Sequence, residues 1–160
     1  MKRPQQGFSL IELLIVVAII LIIAAIAIPN LLRARMQANE ASAVSSLHAV
    51  NTAEISYSTS FPTVGFTATL ANLGDGGASP CPATATASCY IDSTLASGTK
   101  SGYAFSYAPD ATTTPSLRYT IYADPVSRGI SGQRSFFSSD ANVTRYNASV
   151  AASSADAPLQ

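Results

Sequence analysis

One carboxylate stands inside a long apolar run: Phe8-Ser9-Leu10-Ile11-Glu12 opens a stretch that continues from Leu13 to Ile28 without another charge. As a helix, residues 8–28 would rise about 31 Å, enough to cross a bilayer. An acidic side chain within such a span costs about 2.5 to 3.5 kcal/mol on insertion scales, so Glu12 marks a functional position that requires a partner. Nothing nearby in the chain can pair with it. The preceding segment, residues 1–7, is short and basic through Lys2 and Arg3 and ends on Gly7, small enough for a peptidase to accept. Cleavage after Gly7 would give Phe8 a free α-amine within reach of a carboxylate.

The order Gly7-Phe8-Ser9-Leu10-Ile11-Glu12 ahead of a long apolar run resembles the class III signal of type IV pilins and the related pseudopilins. The likeness is close from Lys2 to about Ala38. It implies a prepilin peptidase that cuts between Gly7 and Phe8 on the cytoplasmic face and methylates the new Phe8 amine. It further implies that Glu12 meets the Phe8 amine of a neighbouring subunit as a filament assembles. An ordinary signal anchor with a stray Glu is the plainer alternative. A secretory signal fits worse, because its apolar region is about 7 to 15 residues long and its small-residue cleavage site follows that region instead of preceding it.

The rest of the 160-residue chain bounds one domain plus this appendage. After Asn30 it turns rich in Ser, Thr, Ala and Gly, which suits an exported surface domain with a modest core. Formal charge is zero, so no basic field argues for direct nucleic-acid binding. Lys2 and Arg3 flank one end of the span and Arg33 and Arg35 the other, so charge alone barely orients it. The free N-terminal amine and the composition of the C-terminal part favour the N-terminus in the cytoplasm. Cys81 and Cys89, close together in a Pro- and Thr-rich loop, then lie outside, where a disulfide is expected; two free thiols are the alternative.

Along the chain only Pro29 interrupts a helical pattern from Phe8 to about Tyr57. A proline there predicts a kink or a local melt. A helix end at Ile28 is countered by Ala43, Leu47, Val50, Ala53 and Tyr57, which recur at spacings of three and four and define one apolar face. The expected segments are a leader over 1–7, a transmembrane and filament-core helix over 8–28, and its amphipathic continuation over 29–57. Residues 58–102, punctuated by Gly and Pro, read as a long connecting loop carrying the disulfide. Alternation of Tyr103, Phe105 and Tyr107, then Tyr119, Ile121 and Ala123, predicts two strands. Segments 135–138 and 143–146 add a second hairpin, giving an antiparallel sheet over 103–147. The Ala- and Ser-rich tail, 148–160, is expected to be flexible. The fold class is therefore α+β, a long N-terminal helix packed on a small antiparallel sheet. That order also resembles the pilin fold, in which a proline at the place of Pro29 lets the helix melt locally as subunits pack.

No catalytic constellation emerges. His48 has no second histidine or acidic cluster at ligand spacing, and with Cys81 and Cys89 it is too small a set for structural zinc. The serines lack a histidine outside the helix and a nucleophile-elbow glycine pattern. Aspartates are scattered singly; Asp124 and Asp140 are the loop residues best suited to calcium, although no cluster like that of the major secretion pseudopilins is present. Neither a cofactor nor a metal is expected. Asp140-Ala141-Asn142-Val143-Thr144 resembles an extended bacterial N-glycosylation acceptor. Arg33 and Arg35 are placed to bridge to Glu40 or Glu54 of neighbouring helices, or simply to sit solvated near headgroups. Stacked aromatics cannot carry charge along the helix, since residues 9–56 contain no Phe, Tyr or Trp.

These readings converge on a non-catalytic pilin subunit, held in the inner membrane as a precursor and extracted into a homo-oligomeric helical filament at the cell surface. The implied partners are membrane lipid, the prepilin peptidase and the inner-membrane assembly machinery; adhesion and motility are the activities such filaments serve. The alternatives are a pseudopilin of type II secretion and, in another class, a membrane-anchored binding domain that never polymerises.

Overall fold

The computed structural model describes residues 8–77, 80–81 and 83–159. The leader and Gly7 lie outside them. The chain divides into two units, Met1–Arg35 and Met36–Gln160. One element enters both: helix α1, Leu10–Ser60.

In the first unit every large apolar side chain from Phe8 to Leu32 is exposed. A helix apolar on all sides has no internal face to bury, so lipid or other copies must cover it. α1 runs unbroken through Pro29, and the helix end considered at Ile28 is not observed.

The second unit is built on the remainder of α1. Ala43, Leu47, Val50, Ala53 and Tyr57 are all buried, as their spacing predicts. They meet the inward face of one antiparallel sheet in the order β1-β2-β3-β4-β5: Thr99–Lys100, Tyr103–Pro109, Tyr119–Pro125, Ser135–Ser139 and Arg145–Asn147. Register places Phe105 opposite Ala123 and Tyr107 opposite Ile121, so the alternating residues of β2 and β3 share one face. Tyr103, Phe105, Tyr119, Ile121, Ala123 and Phe136 complete the core with the helix stripe.

The segment expected as loop is more ordered than its Gly and Pro content suggests. α1 extends to Ser60, and a single 3₁₀ turn at Leu70–Leu73 buries Leu70 and Leu73. A short helix α2, Ser93–Ala96, starts where the Asp92 carboxylate accepts the Leu95 N–H at 3.0 Å. Cys81 and Cys89 are disulfide-bonded. Backbone bonds from Cys89 N to Gly74 O and from Tyr90 N to Leu73 O tie that loop to the 3₁₀ turn. Closing so short a loop is worth about 2 to 3 kcal/mol in the chain-entropy model. Replacing both cysteines with serine should lower the melting midpoint by roughly 5–15 °C. Hydrogen exchange should speed up in residues 72–91 while β2 and β3 stay protected; equal loss across the sheet would contradict this assignment.

The tail differs from its expectation. Leu159 N–H donates to Thr144 O at 2.8 Å and Tyr146 N–H to Ala157 O at 3.2 Å, so the end of the chain lies along the free edge of β5. The Asp156 carboxylate accepts from Ser153 N, Ser153 Oγ and Asn147 Nδ2, and Ala152 is buried. Small residues here do not signal flexibility because the bonds are made by backbone and by one aspartate, which hydropathy does not report.

Candidate functional site

At the start of α1 the local chemistry is that of a helix cap. Ser9 precedes the first helical residue, Leu13 N–H donates to Ser9 O at 3.3 Å, and Ser9 N–H donates to Glu12 Oε2 at 2.9 Å. Glu12 therefore occupies the position from which an acidic side chain reaches back to the capping residue, where negative charge also complements the helix dipole. Reading Ser9-x-x-Glu12 as a capping signature would have found this bond. It gives Glu12 a local partner that the apolar pattern alone did not suggest. The cap uses one backbone N–H and leaves the carboxylate otherwise open, beside the exposed Phe8, Leu10 and Ile11.

Residues 2–28 match the prokaryotic N-terminal methylation motif. The chain carries a prepilin-type N-terminus. Its curated relatives include the type IV wide pilus major component PilA4 of Thermus thermophilus, 66% identical over 38 residues, which are 24% of this chain and 29% of that protein. Another is the type IV major pilin PilA of Myxococcus xanthus, 50% identical over 53 residues, 33% of this chain and 24% of that protein. The matched stretches thus span about a quarter of the length of these relatives. No solved structure matches significantly. Of the residues singled out in the sequence, Glu12 lies in the first turn of α1 and Phe8 two residues before the helix begins, while Gly7 is outside the described residues.

Within the second unit, α1 carries four buried polar residues, Glu40, Ser46, Asn51 and Glu54, a feature the hydrophobic pattern hides. Glu40 accepts from Gln133 N at 2.8 Å, Arg134 N at 3.1 Å and Arg134 Nε at 2.7 Å. Desolvation pushes its carboxyl upward, but those three donors outweigh it and hold Glu40 below the ordinary carboxylate range. Arg134 also lies over the rings of Phe136 and Tyr146, each 5.5 Å away. Asn51 donates to Ser138 Oγ and Asn142 Oδ1, both at 2.8 Å, and accepts from Tyr119 OH at 2.9 Å.

Glu54 is fully buried and has no cation. It accepts from Thr67 N and Thr67 Oγ1. Burial raises its pKa, and the Thr67 donors only partly counter that. The protonated form is therefore favoured more in the folded than in the unfolded chain. The contribution of Glu54 to stability should be fully present below the ordinary carboxylate pKa and be lost as pH rises from there through the raised value. Glu54→Gln should remove that component, so that wild type minus variant stability, from denaturation between pH 4 and 8, declines with pH. A difference that is flat, or that grows with pH, would contradict the unpaired burial.

Both acidic residues considered as filament partners of Arg33 and Arg35 are thus committed inside the domain. They cannot serve that role without breaking these bonds. Asp124 and Asp140 are not brought together either: Asp140 N–H approaches Tyr119 O, five residues from Asp124 along β3, a separation of about 17 Å. Among the described residues no three His, Cys, Asp or Glu side chains gather as a metal set. His48 is exposed on α1. Within the Asp140–Thr144 segment Asn142 is exposed, with its carbonyl bonded to Asn51, and Thr144 is buried.

Proposed function

We propose that this chain is the structural subunit of a type IV pilus. The observation that carries this reading is Glu12, a lone carboxylate in the first turn of a helix whose apolar surface is open on every side. In a bilayer such a helix is a single span with its N-terminus in the cytoplasm. In a filament the same surface is covered by other copies. A prepilin peptidase releases residues 1–7 and the Phe8 amine is methylated. That amine, in a neighbouring subunit, is the cation that Glu12 lacks among the described residues of its own chain. Pro29 weakens α1 by removing one hydrogen bond, which allows local unwinding as helices pack. The globular unit forms the outer surface and takes no part in catalysis.

Mass spectrometry of filaments sheared from cells tests this directly. The expected N-terminal peptide begins at Phe8 and carries one methyl group, and the chain is abundant in the fraction. Gly7 replaced by a bulky residue should leave an uncut precursor in the membrane. A mature protein that begins at Met1, or beyond Ile28, would overturn the reading. Processed chain found only in the envelope with a secretion apparatus would assign it to a type II pseudopilus instead, and unprocessed chain absent from any polymer would leave a membrane-anchored domain.

A further inference from the structure

The turns at the two ends of the sheet differ in a way that makes them fit each other. The loop between β3 and β4, residues 126–134, presents Val126 and Ile130 to solvent at 67% and 71% exposure. These side chains stand on a pinned support. Asn39 Nδ2 donates to Ser131 O at 2.8 Å, Ser131 N–H donates to Ser127 O at 2.9 Å, and Val126 N–H donates to Gly102 O at 3.0 Å. Two β-branched side chains held rigidly in water gain nothing for the isolated domain and are pre-organised for a partner.

The turn between β2 and β3 lies at the opposite end, because successive hairpins of an antiparallel sheet alternate ends. β3, seven residues, separates the two turns by about 20 Å. Beside the far turn runs a trough of about 350 Å³ whose lining includes Val64, Phe66, Pro109 and Thr113, with Asp110 at its border. Its exposed walls are mostly apolar, and it is roomy enough to admit an isoleucine side chain together with the backbone that carries it.

Charge agrees with shape. Arg128, between Val126 and Ile130, donates only to neutral acceptors: Gln133 O, Ala148 O and Ser135 Oγ. The Asp110 carboxylate accepts only from Thr112. Among the described residues the ion pairs are Lys100 with Asp92 and Arg134 with Glu40; Arg128 and Asp110 are in neither, and although Arg118 lies near enough to Asp110 to help lower its pKa, Arg128 and Asp110 present opposite charges at opposite ends.

We infer that the 126–134 loop of one copy docks in the Val64–Phe66–Pro109 trough of the next, with Ile130 seated in it and Arg128 facing Asp110. The contact joins different surfaces of identical chains, so it is heterologous, and in a helical filament it repeats without closing. It rests on the filament reading and specifies which faces of the globular units meet.

The experiment is a cysteine cross-link in assembled filaments. Ile130→Cys and Thr113→Cys are both exposed substitutions, and within one chain their sites are too far apart to bond. Mild oxidation of sheared filaments of the double variant should give a non-reducing ladder of dimers, trimers and higher species, absent from either single variant. Intact filaments with no ladder, or a ladder that stops at dimers, would overturn the inference and leave the filament reading standing. Hydroxyl-radical footprinting of wild-type filaments supplies the second measurement if the double variant does not assemble. Val126, Ile130 and Phe66 should then be labelled severalfold less than in detergent-solubilised subunits. Equal labelling, or protection of Ile130 only in the membrane-bound precursor, would also overturn it. Absence of wild-type chain from every sheared fraction would instead remove the filament reading itself.

Discussion

Glu12→Leu should insert into the membrane at least as well as wild type, be cut after Gly7, and yield few or no filaments. In the single chain the Glu12 carboxylate makes one bond, to Ser9 N–H, and losing a cap of this kind costs about 0.5–2 kcal/mol at a helix end. Leucine at that place also relieves the roughly 2.5 to 3.5 kcal/mol charged to an acidic residue in a span. Assembly responds in the opposite direction. A Phe8 amine brought against the apolar helices of its neighbours without a carboxylate is a buried unpaired charge, and removing one member of such a pair typically costs about 3–5 kcal/mol. Every 1.4 kcal/mol is about tenfold in an association constant, so each added subunit is disfavoured by at least a hundredfold. Glu12→Gln separates the two roles of this residue. Its amide oxygen can still accept from Ser9 N–H, so the cap survives, but the charge does not. If pairing with the amine governs assembly, Gln should fail like Leu. Wild-type filament yield from Gln would show that the cap is what matters, and abundant filaments of normal register from Leu subunits alone would sink both.

The parts of this molecule that were legible in the sequence are those whose signal is local. Ala43, Leu47, Val50, Ala53 and Tyr57 repeat with the helix period, and Tyr103, Phe105, Tyr119, Ile121 and Ala123 with the strand period; all ten are buried. Glu40, Asn51 and Glu54 share the helix face, but hydropathy does not report their burial, because their partners lie outside the helix, far along the chain for Glu40 and Asn51 and 13 residues on for Glu54. Arg134 is 94 residues from Glu40, and Ser138 is 87 from Asn51. Hydropathy cannot see such a partner, so Arg33 and Arg35 were given acidic contacts that the domain had already taken. Docking of residues 151–159 on β5 was hidden for a related reason, since its bonds are mostly backbone bonds that composition does not encode. Ser9-x-x-Glu12 belongs with the legible parts, since its spacing alone specifies the capping bond between Ser9 N–H and the Glu12 carboxylate.

The largest effect on the globular unit should come from Asn51→Leu. The Asn51 amide spends both N–H groups and its oxygen on Ser138, Asn142 and Tyr119, three points brought together from β4, the turn after it and β3. Leucine keeps the branching of asparagine but is bulkier, so the change removes the bonds, leaves no cavity and adds some overpacking. Asn142 is exposed and can turn to water, but the Ser138 hydroxyl is fully buried and Tyr119 is 3% exposed. A buried group left unpaired costs about 1–3 kcal/mol, so two of them with the lost bonds amount to about 3–5 kcal/mol, a large share of a typical domain stability of about 5–15 kcal/mol. The amide also fixes how α1 seats on the sheet: a slip of one residue would shift it about 1.5 Å along the axis and turn it about 100°, out of reach of all three partners. Denaturant unfolding of the detergent-solubilised full chain, followed by tyrosine near-ultraviolet dichroism, should show the lower midpoint. Adding Tyr119→Phe to Asn51→Leu should then cost little or recover part of the loss, because it removes a hydroxyl that already has no partner, whereas Tyr119→Phe alone is destabilising. Additive losses in that cycle, or an unchanged midpoint for Asn51→Leu, would mean that water reaches these groups and that the network does not seat the helix.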